Sequence, residues 1–470
     1  MDDSGAVSSQ ASSALSVESP HSGWSEQDPY TWWSATQSAV RALPAVERQA
    51  VRGIGLSGQM HGATLLDGAD RPLRPAILWN DGRSSAECRQ LEASEPRARQ
   101  ITGNLAMPGF TAPKLLWVAK HEPELFAKVA SVLLPKDFVR LKLTGEKCSE
   151  MSDASGTLWL DVEQRRWSDE MLAASRLDQR HMPRLFEGTA ASGQLTTQAA
   201  ADLGVPQVLV AGGGGDNAAS AAGLGAVRPG DAFLSLGTSG VLFVVNDRFR
   251  PNPDRAAHAF CHCLPSTWHQ MSVLLSAGAA LEWVIAATGS TDLPRAVAAA
   301  QARGIGASTP IFLPYLTGER TPHNDPKARA VFFGMNTGTN STDLIVSALT
   351  GVALAFADGM DVLLEAGTAV ADPTICGGGS RLDYWAILIA SAINRPLTRR
   401  KGGETGAALG AALLGRTAVE ARADADMFPV PPLERVFEPD AALVRQLQDL
   451  RPRFKQIYAT LKPVFEESSS

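Results

Sequence analysis

Apolar and polar positions change period several times along the chain, and each change predicts an element. Trp32, Ala35, Ala39 and Leu43 recur at helical spacing, which predicts a helix over Pro29 to Leu43. Ala50 to Ser57 alternates as a strand does and runs into the glycine-flanked loop Gly58-Gln-Met-His-Gly62. Helical segments are predicted over Pro113 to Lys120 and Pro123 to Val129, then a short apolar run over Val132 to Leu134. Gln207 to Ala211 reads as a buried strand, Gly212 to Gly215 as a glycine loop and Asp216 to Gly225 as an Ala-rich helix. After Pro229-Gly230 the pattern becomes two strands, Ala232 to Leu236 and Val241 to Val245, joined by a tight turn. Pro373 to Cys376 repeats the motif of a strand entering glycines, and helices are predicted over Leu382 to Ile393 and from Gly402-Gly-Glu-Thr-Gly406 through Leu414. Strands alternating with helices predict an α/β protein, with a domain boundary near Arg228. Met1 to Ser19, rich in serine and poor in pattern, reads on composition alone as a flexible arm.

Composition narrows the class of partner. At 470 residues the chain is long enough for two or three domains. Its formal charge of −6 is spread along the whole length with no basic block, so nucleic acid is not expected as a partner. No membrane span or leader is expected, and five dispersed cysteines suit a reducing compartment, so a cytoplasmic location is expected.

The glycine motifs carry the candidate chemistry. Four glycines before Asp216 are entropically expensive, which suits close backbone approach to a ligand. Asp216 at the helix start fits an N-cap and a general base equally well, and the residues leave both readings open. Leu236-Gly-Thr-Ser-Gly240 is an anion cradle or an ordinary turn, and Gly377-Gly-Gly379 allows a nucleotide to lie against backbone. Neither matches a P-loop or a Rossmann fingerprint. His61 is placed to hydrogen-bond a polar ligand, although a lone loop histidine is more often structural. Cys261-His-Cys263 lacks zinc spacing, and Leu313 to His323 reads as a charged surface loop.

In their order along the chain these motifs resemble the FGGY family of carbohydrate kinases, which includes glycerol kinase, gluconate kinase and xylulokinase. The resembling stretches include Trp24 to Pro29, Gly58 to Leu66, Ile77 to Arg83, Pro108 to Lys114, Leu133 to Asp137, Met151 to Thr157, Gly213 to Asn217 and Leu313 to His323. Where the glycerol kinases carry an Arg-Glu pair this chain has Gln59-Met60-His61, which favours a ketopentose. The resemblance implies two actin-like ATPase (ribonuclease H-like) domains flanking a deep cleft. A sugar-binding domain would span residues 1–228 and a nucleotide-binding domain residues 229–470. It also implies transfer of phosphate from Mg-ATP to D-xylulose, giving D-xylulose 5-phosphate, with Asp216 as general base and Met60, His61 and Asn217 on the sugar. Gly237 and Thr238 would line the phosphate path, and Gly377, Gly378 and Gly379 would lie along the nucleotide. Cofactors would be ATP and Mg2+, with the metal ligands unassigned, and the protein would form a homodimer. Leu382 stands where relatives place Ser or Asn near the adenine. Alternatives are a kinase for another ketopentose or polyol, and a non-catalytic sugar or nucleotide sensor. On the family pattern the chain lacks the opening strand and its phosphate hairpin, which points to a start further upstream and makes Ser4 to Ser19 a hairpin of strands.

Overall fold

The computed structural model describes residues 1–2, 5–403 and 406–467. In the first half, helix α1 (Pro29–Ala42) is started by Asp28, whose carboxylate accepts from the Tyr30 amide at 3.0 Å, with Pro29 in the first turn. The alternating run after it does not form one strand. It breaks into β1 (Gly53–Ile54) and β2 (Ser57–Gly58), because the intervening Gly55 lies against another backbone: a Cβ there would come within 1.6 Å of the Ala411 carbonyl oxygen. Strand β3 (Ala191–Gln194) pairs antiparallel with β4 (Leu209–Ala211), which runs parallel to β1. The glycine loop supplies a further short strand, β5 (Gly214–Gly215), parallel to β2 with Gly214 opposite Ser57 and Gly215 opposite Gly58. Helix α2 (Asp216–Gly223) follows at once.

The second half is built on a seven-stranded mixed sheet. Its strands are β6 (Ala232–Leu236), β7 (Gly240–Asn246), β8 (His258–Cys261), β9 (Trp268–Leu274), β10 (Thr374–Cys376), β11 (Leu397–Arg400) and β12 (Leu433–Phe437), in the order β8-β9-β7-β6-β10-β11-β12. β6 pairs antiparallel with β7 as a hairpin and parallel with β10. Helix α3 (Gly278–Ala287) follows the sheet's first four strands. Helix α4 (Ser341–Glu365) opens with a reciprocal cap between Asn340 and Asp343 and runs through the core. It is the one helix among the described residues long and apolar enough to cross a membrane, and 94% of its apolar window is buried inside this fold. Helix α5 (Asp383–Ile393) and helix α6 (Gly406–Glu420) complete the framework of the second half. Glu404 and Thr405, in the loop expected to start α6, lie outside the described residues.

α2 and α6 cross at contact distance without intervening side chains. A Cβ on Gly410 would lie 1.7 Å from the Ala219 carbonyl oxygen, and one on Gly223 would lie 2.1 Å from that of Gly406. The division expected at residues 228 and 229 falls in the loop between α2 and β6. The expected hairpin of strands over Ser4 to Ser19 is not formed. Residues 6–17 have no ladder partner, and Val7, Leu15 and Val17 remain exposed, because this serine-rich run offers no apolar face to bury against a neighbour. Ser4 itself lies outside the described residues.

Candidate active site

The parallel pairing of β5 with β2 brings the Gly-Gly-Asp-Asn segment beside the Gly-Gln-Met-His loop. A Cβ on Gly215 would sit 3.0 Å from Met60 Cγ, so glycine there lets the two segments close. The Gly215 amide donates to Glu150 Oε1 at 3.1 Å and to Ser152 Oγ at 3.0 Å, fixing the turn that presents Asp216. Glu150 is buried beside Lys136, whose ammonium lies 2.7 Å from Asp137 and 3.4 Å from Asp153.

Asp216 does not cap its own helix. It occupies the first turn after Gly215, and the bonds on its carboxylate fall on Oδ1, from the Asn217 amide at 2.7 Å and Asn217 Nδ2 at 3.0 Å. Oδ2 carries none among the described residues. Burial raises the Asp216 pKa above the usual aspartate value, and the two bonds from Asn217 offset part of that. The group is therefore a stronger base than an exposed aspartate, with one oxygen free to take a proton.

His61 is held in the left-handed region at φ 69°, a conformation that costs a side-chain-bearing residue energy. Its carbonyl is pinned by Thr111 Oγ1 at 3.1 Å and Lys114 Nζ at 2.9 Å, which over-determine the strained backbone. Its Nδ1 lies 2.7 Å from the Gly156 carbonyl, and the ring meets Phe110 edge-on at 4.8 Å. Burial, then the Lys114 charge, lowers its pKa to about 3, so the ring is neutral near pH 7. A carbonyl partner requires the proton on Nδ1, which leaves Nε2 as a bare acceptor.

Met60, His61, Asp216 and Asn217 line one cavity of about 300 Å³, flanked by Trp79, Phe110 and Phe260. The strongest residue missed from sequence also lines it. Arg320 belongs to the Leu313 to His323 segment expected on the surface, yet Glu319 and Thr321 on either side are 1% exposed. Glu319 Oε1 accepts from the Leu275 and Arg320 amides, both at 2.8 Å, and Thr321 Oγ1 accepts from the Val273 amide at 3.0 Å, stitching the loop to β9. The surface expectation failed because the loop's charges are satisfied by backbone that is distant in sequence. Arg320 Nη1 lies 3.2 Å from His258 Nε2, and His258 Nδ1 lies 3.0 Å from Asn104 Oδ1. Asn104 Nδ2 donates to the Thr102 and Ala259 carbonyls, so its Oδ1 accepts from His258, and His258 Nε2 in turn accepts from Arg320.

A second cavity of about 700 Å³ adjoins the first, because Asn217 and Ser235 line both. Gly377 and Gly378 are on its wall; Gly377 has φ 85°, and a Cβ on Gly378 would meet nothing within 4 Å. Arg381, Arg399 and Arg400 share this wall with Glu434, which pairs with Arg399 at 3.1 Å, so arginines outnumber carboxylates among the described lining residues, which suits a polyphosphate. Gly379 instead packs against the Leu236 side chain. Gly237 and Thr238 are not on either cavity wall: they form the turn between β6 and β7, next to the cavity-lining Ser235 and Ser239. Their carbonyls accept from the amides of residues 277–279 at the start of α3. Leu382 packs against the apolar core of the second half. No group of three or more His, Cys, Asp or Glu residues able to hold a metal is present among the described residues, and all five cysteines are free.

Two family models match the chain. The N-terminal domain of the FGGY family of carbohydrate kinases matches residues 1–223, and its C-terminal domain matches residues 232–419. The chain is 48% identical to the xylulose kinase of Escherichia coli (strain K12) over 466 residues, covering 99% of this chain and 96% of that protein. It is 49% identical, with the same coverage, to the xylulose kinase of Klebsiella pneumoniae. The crystal structure of a xyloylose kinase from Brucella ovis superposes with a TM-score of 0.93 at 48% identity, covering 99% of this chain and 96% of that one. The expected lack of an opening strand and phosphate hairpin gains no support from matches of this extent.

Proposed function

This chain belongs to the FGGY family of carbohydrate kinases, and we propose that it phosphorylates D-xylulose at its terminal hydroxyl, consuming ATP and releasing ADP and D-xylulose 5-phosphate. Identity of 48% over 99% of the chain to a xylulose kinase carries this reading. Asp216 is the general base. Its unoccupied Oδ2 takes the hydroxyl proton as that oxygen attacks the γ-phosphorus and the bond to the β-phosphate oxygen breaks. A positioned base of this kind is worth roughly 10²–10⁴ in rate. Met60, His61 and Asn217 hold the sugar in the smaller cavity, and the nucleotide lies in the larger one along Gly377 and Gly378, with Gly379 shaping the loop behind them.

That Asn217 and Ser235 line both cavities supports a phosphoryl passage between them; Gly237 and Thr238 would flank that passage. The arginines on the larger wall suit the negative charge of a nucleotide triphosphate. Magnesium would accompany the nucleotide, and with no cluster of metal-ligating side chains among the described residues the triphosphate would supply oxygens for it. It would neutralise charge developing on the phosphates. The enzyme is read as cytoplasmic, where ATP is available, and as a homodimer, which sedimentation would size. Coupled ADP release across a sugar panel tests the substrate. D-xylulose should give the highest kcat/KM; faster turnover of another ketopentose or polyol moves the assignment, and binding of sugar without turnover makes the protein a sensor.

A further inference from the structure

Arg320 is the one cavity-lining guanidinium in the sugar pocket, and it reaches there from the second half of the chain while His61 reaches there from the first. No carboxylate lies within 4 Å of its guanidinium nitrogens among the described residues, although the buried Glu319 carboxylate accepts from the Arg320 amide at 2.8 Å and attracts its charge. A guanidinium offers five N–H donors and no acceptor. His258 takes one of its nitrogens, and the surface Arg320 retains faces the cavity. The His258–Asn104 relay fixes that nitrogen's direction, while Glu319 and Thr321 fix the backbone on either side. Donors held this firmly at a cavity wall are matched by an acceptor in the ligand, and a bond to a charged donor is stronger than one between neutral groups.

His61 offers the complementary atom, a bare Nε2 that calls for a ligand O–H. The pocket therefore presents a donor group and an acceptor atom in one cavity. Phe110 stands between them: its ring meets His61 at 4.8 Å and His258, the partner of Arg320, at 5.5 Å.

We infer that Arg320 and His61 together read an α-hydroxyketone: the guanidinium donates to the ketone oxygen, and Nε2 of His61 accepts the proton of a neighbouring hydroxyl. This inference rests on the ketopentose reading above and names the residue that distinguishes a ketose from its polyol. A carbonyl oxygen only accepts, so it matches a donor-only guanidinium fully. A carbinol placed there must aim its own hydrogen elsewhere, in a pocket whose remaining wall is largely Phe110, Phe260 and Met107.

The test compares kcat and KM for D-xylulose with those for xylitol, in which the ketone is reduced, using the parent protein, Arg320→Met and Arg320→Lys. Arg320→Met should reduce the preference for D-xylulose over xylitol by about 10- to 100-fold. The loss should appear in KM for D-xylulose, with KM for ATP unchanged. Arg320→Lys keeps the charge but not the planar fork, and should lose part of the preference while melting near the parent temperature; it carries the test if the Met variant does not fold. An unchanged preference, or equal losses on both sugars, overturns the inference while leaving the kinase reading in place. A parent protein that phosphorylates no ketopentose overturns both.

Discussion

Gly156 holds His61 and also makes room for it. The Gly156 carbonyl lies 2.7 Å from His61 Nδ1, and a Cβ on the same glycine would come within 2.5 Å of that ring's Nδ1 and Cε1. Gly156 has an ordinary φ of −78°, so an alanine there is tolerated by the backbone and crowded by the His61 ring and, at 3.0 Å, by Met60 Cε. Gly156→Ala should therefore keep the fold but displace the imidazole, raising KM for the sugar by roughly tenfold or more, since a displacement of about 1 Å in a positioned group is costly. Steady-state kinetics with both substrates varied would check this; KM for ATP should not move.

Asp216→Asn keeps the shape of the side chain and removes its basicity. Transfer should fall by about 10²–10⁴, with the sugar still bound, as calorimetric titration of the inactive variant would show. The same change should stabilise the protein. Burial raises the carboxyl pKa in the folded state, so above the unfolded value the ionised group opposes folding, and that cost is present at neutral pH. Removing it should lift the melting temperature by roughly 1–3 °C.

The pH profile follows from the same shift. With Asp216 as the proposed base, activity would require its ionised form, so kcat/KM should fall as pH drops through a pKa above the ordinary aspartate value of about 3.9. His61, lowered to about 3, and His258, lowered well below the usual range by burial, stay neutral through that interval and add no second step. Lys114 is lowered to about 7 by burial, yet its neutral amine still has two hydrogens for the His61 and Gly109 carbonyls. An acid limb of unit slope that disappears in Asp216→Asn would agree with this assignment; a slope of two would contradict it.

Gly410→Ala should be more damaging than a helix-favouring substitution ordinarily is. The new methyl would meet the Ala219 carbonyl oxygen, 1.7 Å away, and backbone on both sides prevents it from turning aside. Overpacking of this kind costs about 1–3 kcal/mol and sometimes more. Thermal unfolding should show a clear drop, and activity should fall with it because α2 carries Asp216.

Much of the site was legible because its residues sit in contiguous loops. The Gly58 to Gly62 and Gly213 to Asn217 segments each announce themselves by glycines that a chain would not otherwise retain. Their pairing, Gly215 opposite Gly58, is a consequence of register that neither segment contains. Arg320 was hidden for a different reason: its partner His258 is 62 residues away, and the asparagine orienting that histidine is a further 154 residues from it. A charged pair between prolines looks like surface until those distant acceptors are known. The alternating run over Ala50 to Ser57 likewise gives no sign that Gly55 will be pressed by the Ala411 carbonyl, because the interruption belongs to α6.

The crossing of α2 and α6 ties the walls of the two cavities to one joint. At its closest points backbone touches backbone, each carbonyl seated opposite one glycine, with Ala218 and Ala222 of one helix and Leu413 and Leu414 of the other clustered together beside them. One helix begins at the proposed base, and the other begins with Gly406 and Ala407 on the wall of the larger cavity. The spacing between the base and that wall is thus set by Gly223 and Gly410, two residues that touch neither cavity.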